Sequence, residues 1–136
     1  MAALGLSKPR NINILIEIVS AVDLPAGDIN SSDPYVVIKF NGETVHKTKR
    51  ILNTLKPIWT IQTNSLFLLR TNTKLLFESP DGMIYFEVRD YDTFGKDTLL
   101  GVSKVPATVV YKSNGERLEY SVKKQRPDGT ERTKVS

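Results

Sequence analysis

The chain has 136 residues, enough for one domain with one sizeable core and too few for two ordinary ones. It has no cysteine and one histidine, His46, which excludes a disulfide framework, a thiolate nucleophile, a Cys-based zinc site and a multi-histidine metal site within one chain. Apolar residues at 40% and charged residues at 25% exclude a disordered composition, and a net charge of +4 favours an anionic partner such as nucleic acid, an acidic protein or a phospholipid surface.

Residues 1–11 read as a lead-in and residues 12–136 as one domain. No apolar run nears the ~20 residues that cross a bilayer. Met1–Leu6 is shorter than the apolar stretch of a secretory signal, so a cytoplasmic setting is expected. Ile12 to Val19 is a β-branched run in which Ile12, Ile14, Ile16 and Ile18 share one face and Asn13 and Glu17 the other. Asp23 to Asp33 is a polar loop. Tyr35 to Phe40 is a second strand, and Asn41-Gly42 predicts a tight two-residue turn into a third, Thr44 to Ile51. There the two-residue period puts Lys47 and Lys49 on one face and Arg50 opposite, with His46 an ordinary surface residue. After Lys56-Pro57, the run from Ile58 to Leu69 reads as extended, with Trp59 in the core.

Thr71 to Asp81 reads as a polar connection closed by a turn at Pro80-Asp81-Gly82. Met83 to Val88 is a strand, Asp90 to Asp97 an acidic loop and Leu99 to Val105 a strand. Ala107 to Tyr111 reads as one helical turn. Leu118 to Val122 alternates, and Lys123 to Ser136 reads as a solvated basic tail. Seven short strands with turn signals between them and no long helix predict an all-β sandwich or barrel.

Two loops are dense in carboxylates. Asp28 and Asp33 stand in the first, and Asp90, Asp92 and Asp97 in the second. Calcium takes roughly six to eight oxygen ligands of this kind. Aspartate also recurs in turns because it bonds its own backbone. Spacing leaves both readings open.

Three stretches resemble the C2 domain family. Leu24-Pro25-Ala26-Gly27-Asp28 through Ser32-Asp33-Pro34-Tyr35-Val36 is similar to that family's first loop. Lys47-Thr48-Lys49 and Thr54-Leu55-Lys56-Pro57-Ile58-Trp59 resemble its third strand and the following turn. Val88-Arg89-Asp90-Tyr91-Asp92 through Leu100-Gly101 resembles its third loop. They occur in the family's order over about residues 12–123. The resemblance implies an antiparallel β-sandwich of seven to eight strands, of the family's second topology. The eighth strand would begin near Thr133 and be cut short at Ser136.

Functionally it implies a non-catalytic module that binds anionic phospholipid membranes, phosphatidylserine and phosphoinositides among them, through calcium held between loops. The module would belong to a larger parent chain or meet protein partners. Asp28, Asp33, Asp90 and Asp92 match the ligand positions, with the backbone carbonyl of Tyr91. The fifth position falls on Thr98, a departure for which the adjacent Asp97 is the substitute. Ile29 and Phe94 are the candidates for membrane insertion, with Lys96 near the headgroups. Tyr35, Lys47 and Lys49 match the family's phosphoinositide-contacting residues.

The Thr98 departure keeps open a calcium-independent module for protein or phosphoinositide binding. Ile84 to Asp92 also partly fits an apolar strand followed by the Asp-x-Asp of a phosphatase, but the chain shows too little helix for the parallel sheet such an enzyme needs. Basic and aromatic residues are not interleaved as a nucleic-acid stacking surface requires.

Overall fold

Alternation along two isoleucine- and leucine-rich strands builds the first ladder. In β1 (Asn11–Glu17) Ile14 and Ile16 are buried while Asn13, Leu15 and Glu17 are exposed. It pairs antiparallel with β4 (Leu66–Asn72), where Phe67, Leu69 and Thr71 are buried. This is the structure of a computed structural model, which describes residues 8–24, 32–78, 82–125 and 131–134.

The second sheet contains β2 (Pro34–Phe40), β3 (Glu43–Lys47), β5 (Met83–Asp90), β6 (Thr98–Pro106), β7 (Val122–Gln125) and β8 (Glu131–Lys134). Its spatial order is β3-β2-β5-β6-β7-β8, and every pairing is antiparallel. Ile14, Ile16, Phe67 and Leu69 of the first ladder form one core cluster with Val36, Ile38, Phe40, Ile84, Val88 and Leu100 of the second sheet. Two apolar faces packed together around one core are the β-sandwich arrangement.

The Asn41-Gly42 turn is as the sequence predicts. Both residues take positive φ, 53° and 78°, the backbone that a twisted two-residue hairpin demands. Past the turn, Val45 is an extra residue, because Lys39 pairs with Thr44 but Ile38 with His46. The bulge raises the local twist of the strand, which stays beside β2 through Ile38–His46 and Val37–Lys47. The segment beyond Lys47 bonds both to β2 and to the chain before β4: Thr48 N–H donates to Val36 O at 2.9 Å, and Lys49 N–H donates to Thr63 O at 3.0 Å. His46 is half-buried, its ring stacked on Phe67 at 4.7 Å between centroids, so it ties β3 to β4. Trp59 is buried as expected, and its indole N–H donates to Lys49 O at 2.9 Å.

Three local readings change. The Ile58–Leu69 run is broken by a 3-10 turn at Ile61–Thr63, which ends on Asn64 at φ 65°. Thr60 N–H donates to Thr63 Oγ1 at 2.7 Å and closes that turn, which leaves Ile61 exposed. The polar connection begins with a short helix, α1 (Thr73–Phe77), which buries Leu76; the Asn72 side chain caps it by accepting from Leu75 N–H at 2.9 Å. The expected helical turn after Pro106 is α2 (Ala107–Lys112).

The third change is at the C-terminal end. Residues 118–121 are not a strand. The regular structure falls later, in β7, and the basic stretch folds back as β8 with Val122 opposite Lys134 and Gln125 opposite Glu131. β7 can approach β6 because position 101 is glycine: a Cβ there would lie 2.3 Å from Val122 Cγ1.

Candidate functional site

The β2–β5 register brings the ends of two acidic loops to one tip of the sandwich. Pro34 stands opposite Asp90 and Tyr35 opposite Arg89. Asp33 N–H donates to Asp90 Oδ1 at 2.8 Å, and Tyr91 N–H donates to Asp33 O at 3.1 Å. Asn53 N–H donates to Asp33 Oδ1 at 2.7 Å, so a third segment is tied to the same carboxylate. Asp90 is buried.

The loop between β5 and β6 is organised by its own aspartates. Asp92 Oδ1 accepts from Phe94 N–H at 2.9 Å, and Asp97 Oδ1 accepts from Asp92 N–H at 2.8 Å. Tyr35 donates its hydroxyl proton to Asp97 Oδ2, which ties the loop to β2. That hydrogen bond, followed by the one from Asp92 N–H, holds the Asp97 carboxyl below its ordinary range despite partial desolvation. Burial first, and then the Asp97 acceptor and its charge, push the Tyr35 phenol up to about 12. At the loop tip Phe94 is 97% exposed, and Lys96 is exposed beside it. Thr98 is the exposed first residue of β6, opposite Asp90.

Beside this loop lies an open concavity of about 630 Å³, bordered by Tyr35, Lys47, Lys49, Arg50, Tyr91 and Asp97. Arg50 was expected on the opposite face from the lysines. It comes to the same concavity because regular strand geometry ends at Lys47, and its guanidinium lies 3.9 Å over the Tyr91 ring. The Tyr91 ring was also absent from the sequence reading of this surface; an Arg paired with an aromatic in an adjoining loop was the available signal. On the neighbouring strands Glu87 bridges Lys39 at 3.1 Å and Arg89 at 2.8 Å. Burial raises the Glu87 carboxyl, and the hydrogen bonds from Arg89 and Lys39 outweigh it and hold it below its usual range.

The fold therefore gathers Asp33 with Asp90, Asp92 with Asp97, and Tyr35 with Lys47 and Lys49. Asp28 and Ile29 lie outside the described residues. Among the described residues no group of three or more carboxylates is arranged to hold a metal ion.

The sequence model of the C2 domain family matches residues 13–122. The chain is 35% identical over 102 residues to Arrestin domain-containing protein B of Dictyostelium discoideum, covering 74% of this chain and 15% of that protein. It is 35% identical over 86 residues to Protein C2-DOMAIN ABA-RELATED 5 of Arabidopsis thaliana, covering 63% of this chain and 38% of that protein. The chain thus spans well under two thirds of the length of these relatives. Its fold is similar to the C2A domain of plant Extended Synaptotagmin 1, with a TM-score of 0.63 at 20% identity over 95% of this chain and 92% of that one. It is also similar to the C2A- and C2B-domains of Extended-Synaptotagmin 2, with a TM-score of 0.67 at 23% identity over 88% of this chain and 38% of that one. With a family match over most of its length and the same sandwich, the chain belongs to the C2 domain family.

Proposed function

We propose that this C2 domain is a non-catalytic, peripheral docking module for the cytoplasmic face of anionic phospholipid membranes, and that calcium strengthens the docking. The observation that carries this reading is the 97% exposed Phe94, at the tip of a loop that adjoins both an acidic strand end and a basic concavity. An aromatic ring exposed to this degree suits shallow insertion, and burying it contributes about 1.5–3 kcal/mol. Lys47, Lys49 and Lys96 are exposed and would attract anionic headgroups, at about 1 kcal/mol each near the surface. Tyr35 and Arg50 would complete a phosphate contact in the concavity.

The donor chemistry at the tip suits calcium in part. Asp33, Asp90 and Asp92, with the Tyr91 carbonyl, are hard oxygen donors. Asn53 N–H and Phe94 N–H bond Oδ1 of Asp33 and of Asp92 respectively, the oxygens opposite Oδ2. Asp97 is a poorer donor, because both of its oxygens are engaged, by Tyr35 and by Asp92 N–H. Calcium, when bound, would supply positive charge where the loop is acidic and an open coordination position for a lipid oxygen. The engagement of Asp97 also favours a second reading, in which the concavity binds phosphoinositide headgroups without calcium.

Co-sedimentation with phosphatidylserine vesicles separates the two. Calcium-dependent pelleting that is lost in Asp92→Asn supports the first reading; asparagine retains the Oδ1 acceptor for Phe94 N–H. Pelleting in chelator that is lost in Lys47→Ala/Lys49→Ala supports the second. No pelleting of the native chain on phosphatidylserine or phosphoinositide vesicles, with or without calcium, would sink both.

A further inference from the structure

The outer face of the β1–β4 ladder, on the sheet that carries neither the β5–β6 loop nor the concavity, has an unusual order. Its register sets Asn11 opposite Asn72, Asn13 opposite Arg70, Leu15 opposite Leu68 and Glu17 opposite Leu66. All of these are exposed except the half-buried Asn72. Leu15 is 65%, Leu68 44% and Leu66 39% exposed. The face therefore runs from amides and a guanidinium, through adjacent leucines, to a carboxylate. Neither Glu17 nor Arg70 forms an ion pair with another described residue. At the basic end Asn11, Asn13, Arg70 and Leu75 border a shallow cleft of about 440 Å³.

We propose that this face is an isologous contact between two copies of the chain. The argument is charge complementarity about the Leu15–Leu68 pair. Glu17 lies two residues to one side of that pair, and Asn13 and Arg70 lie two residues to the other, ~7 Å each way. A two-fold axis in the contact plane, crossing the strands at Leu15 and Leu68, stacks the leucines of the two copies. It also brings Glu17 of the second copy over Asn13, one strand from Arg70, at the cleft. Symmetry makes the same contact at the other end. Facing sheets lie ~10 Å apart, within reach of glutamate and arginine side chains. A membrane is a poorer occupant, because the Glu17 carboxylate borders the leucines.

Sedimentation equilibrium of the full chain tests this over a range of concentrations. The expected result is a concentration-dependent dimer. Arg70→Glu or Glu17→Arg alone sets like charges together and raises the dissociation constant by about 100-fold or more. The double exchange Glu17→Arg/Arg70→Glu restores the dimer. Asn13→Asp, which adds no bulk, weakens it in the same direction as the single reversals. Melting midpoints identify variants that fold like the native chain. A native chain that stays monomeric at every concentration overturns the proposal and leaves the face to a different protein or to solvent. So does a dimer that the single reversals do not move, or a double exchange that melts like the native chain yet stays monomeric. None of these outcomes depends on lipid or calcium, so the membrane reading stands or falls separately.

Discussion

Tyr35 and Asp97 share one hydrogen bond that acts on both titrations. The unfolded phenol ionises near ~10 and the folded one at about 12. The stability this shift contributes is whole below the unfolded value and is lost as pH rises through the folded one. Asp97 is shifted the other way. Its contribution is present above the ordinary carboxylate pKa of ~3.9 and is lost as pH falls through the depressed folded value. Tyr35→Phe removes the bond and is expected to lower stability at neutral pH by about 1 kcal/mol, since the pair is part-buried and hydrogen bonds to charged groups are worth somewhat more when fully desolvated. Urea midpoints at about pH 3, 7 and 11 check this. The variant should differ most from the native chain at neutral pH and least at both extremes. A constant difference across all three would show that the hydrogen bond is not the cause.

Between elements, the closest approach is that of β7 to β6. Gly101→Ala would place a methyl 2.3 Å from Val122 Cγ1 and 3.2 Å from Lys123 O. Part of that clash is with backbone, so the hairpin must shift, at about 1–3 kcal/mol. The expected readout is a lower melting midpoint together with faster amide exchange in β7 than in β2. α1 depends on a single side-chain cap. Asn72→Ala orphans Leu75 N–H and is expected to cost about 1 kcal/mol, measured by urea unfolding, while Asn72→Asp retains the acceptor and most of the stability.

Across the whole molecule, one register decision assembles the candidate membrane surface. Because β2 runs antiparallel to β5 with Pro34 opposite Asp90, the chain entering β2 and the chain leaving β5 meet at the same tip. The net charge of +4 is then placed usefully, with lysines and Arg50 around one concavity and carboxylates just beyond it. Vesicle binding in chelator is expected to fall steeply with salt, because exposed charges are screened beyond about 8–10 Å. Lys47→Ala/Lys49→Ala should flatten that salt dependence. Phe94→Ser should leave the slope unchanged and weaken binding at every salt concentration. Equal slopes in the native and double-lysine proteins would remove the concavity from the membrane contact.

Features set by neighbours along the chain were legible in the sequence. The alternation from Ile12 to Glu17 is the pattern of β1, with Ile12 half-buried and Ile14 and Ile16 buried, and Asn41-Gly42 is the positive-φ turn it predicts. The motifs in order were enough to indicate the C2 resemblance, because each is a local run of residues. The bulge at Val45, the 3-10 turn at Ile61–Thr63, α1 and the place of β7 were not legible, whereas the eighth strand that the resemblance puts near Thr133 is β8. A break in a two-residue period is settled by what the backbone bonds next, and short segments carry weak propensity. The functional surface depended most on contacts between residues far apart in the chain. Asp97 is held by Tyr35, 62 residues earlier, and Arg50 leaves the expected face to stack on Tyr91. The sequence by itself determined which charged and aromatic groups this protein carries and the strands that bear them. Tertiary structure decided which of them meet, because a carboxylate's partners are set by the packing of distant strands and no local spacing encodes that.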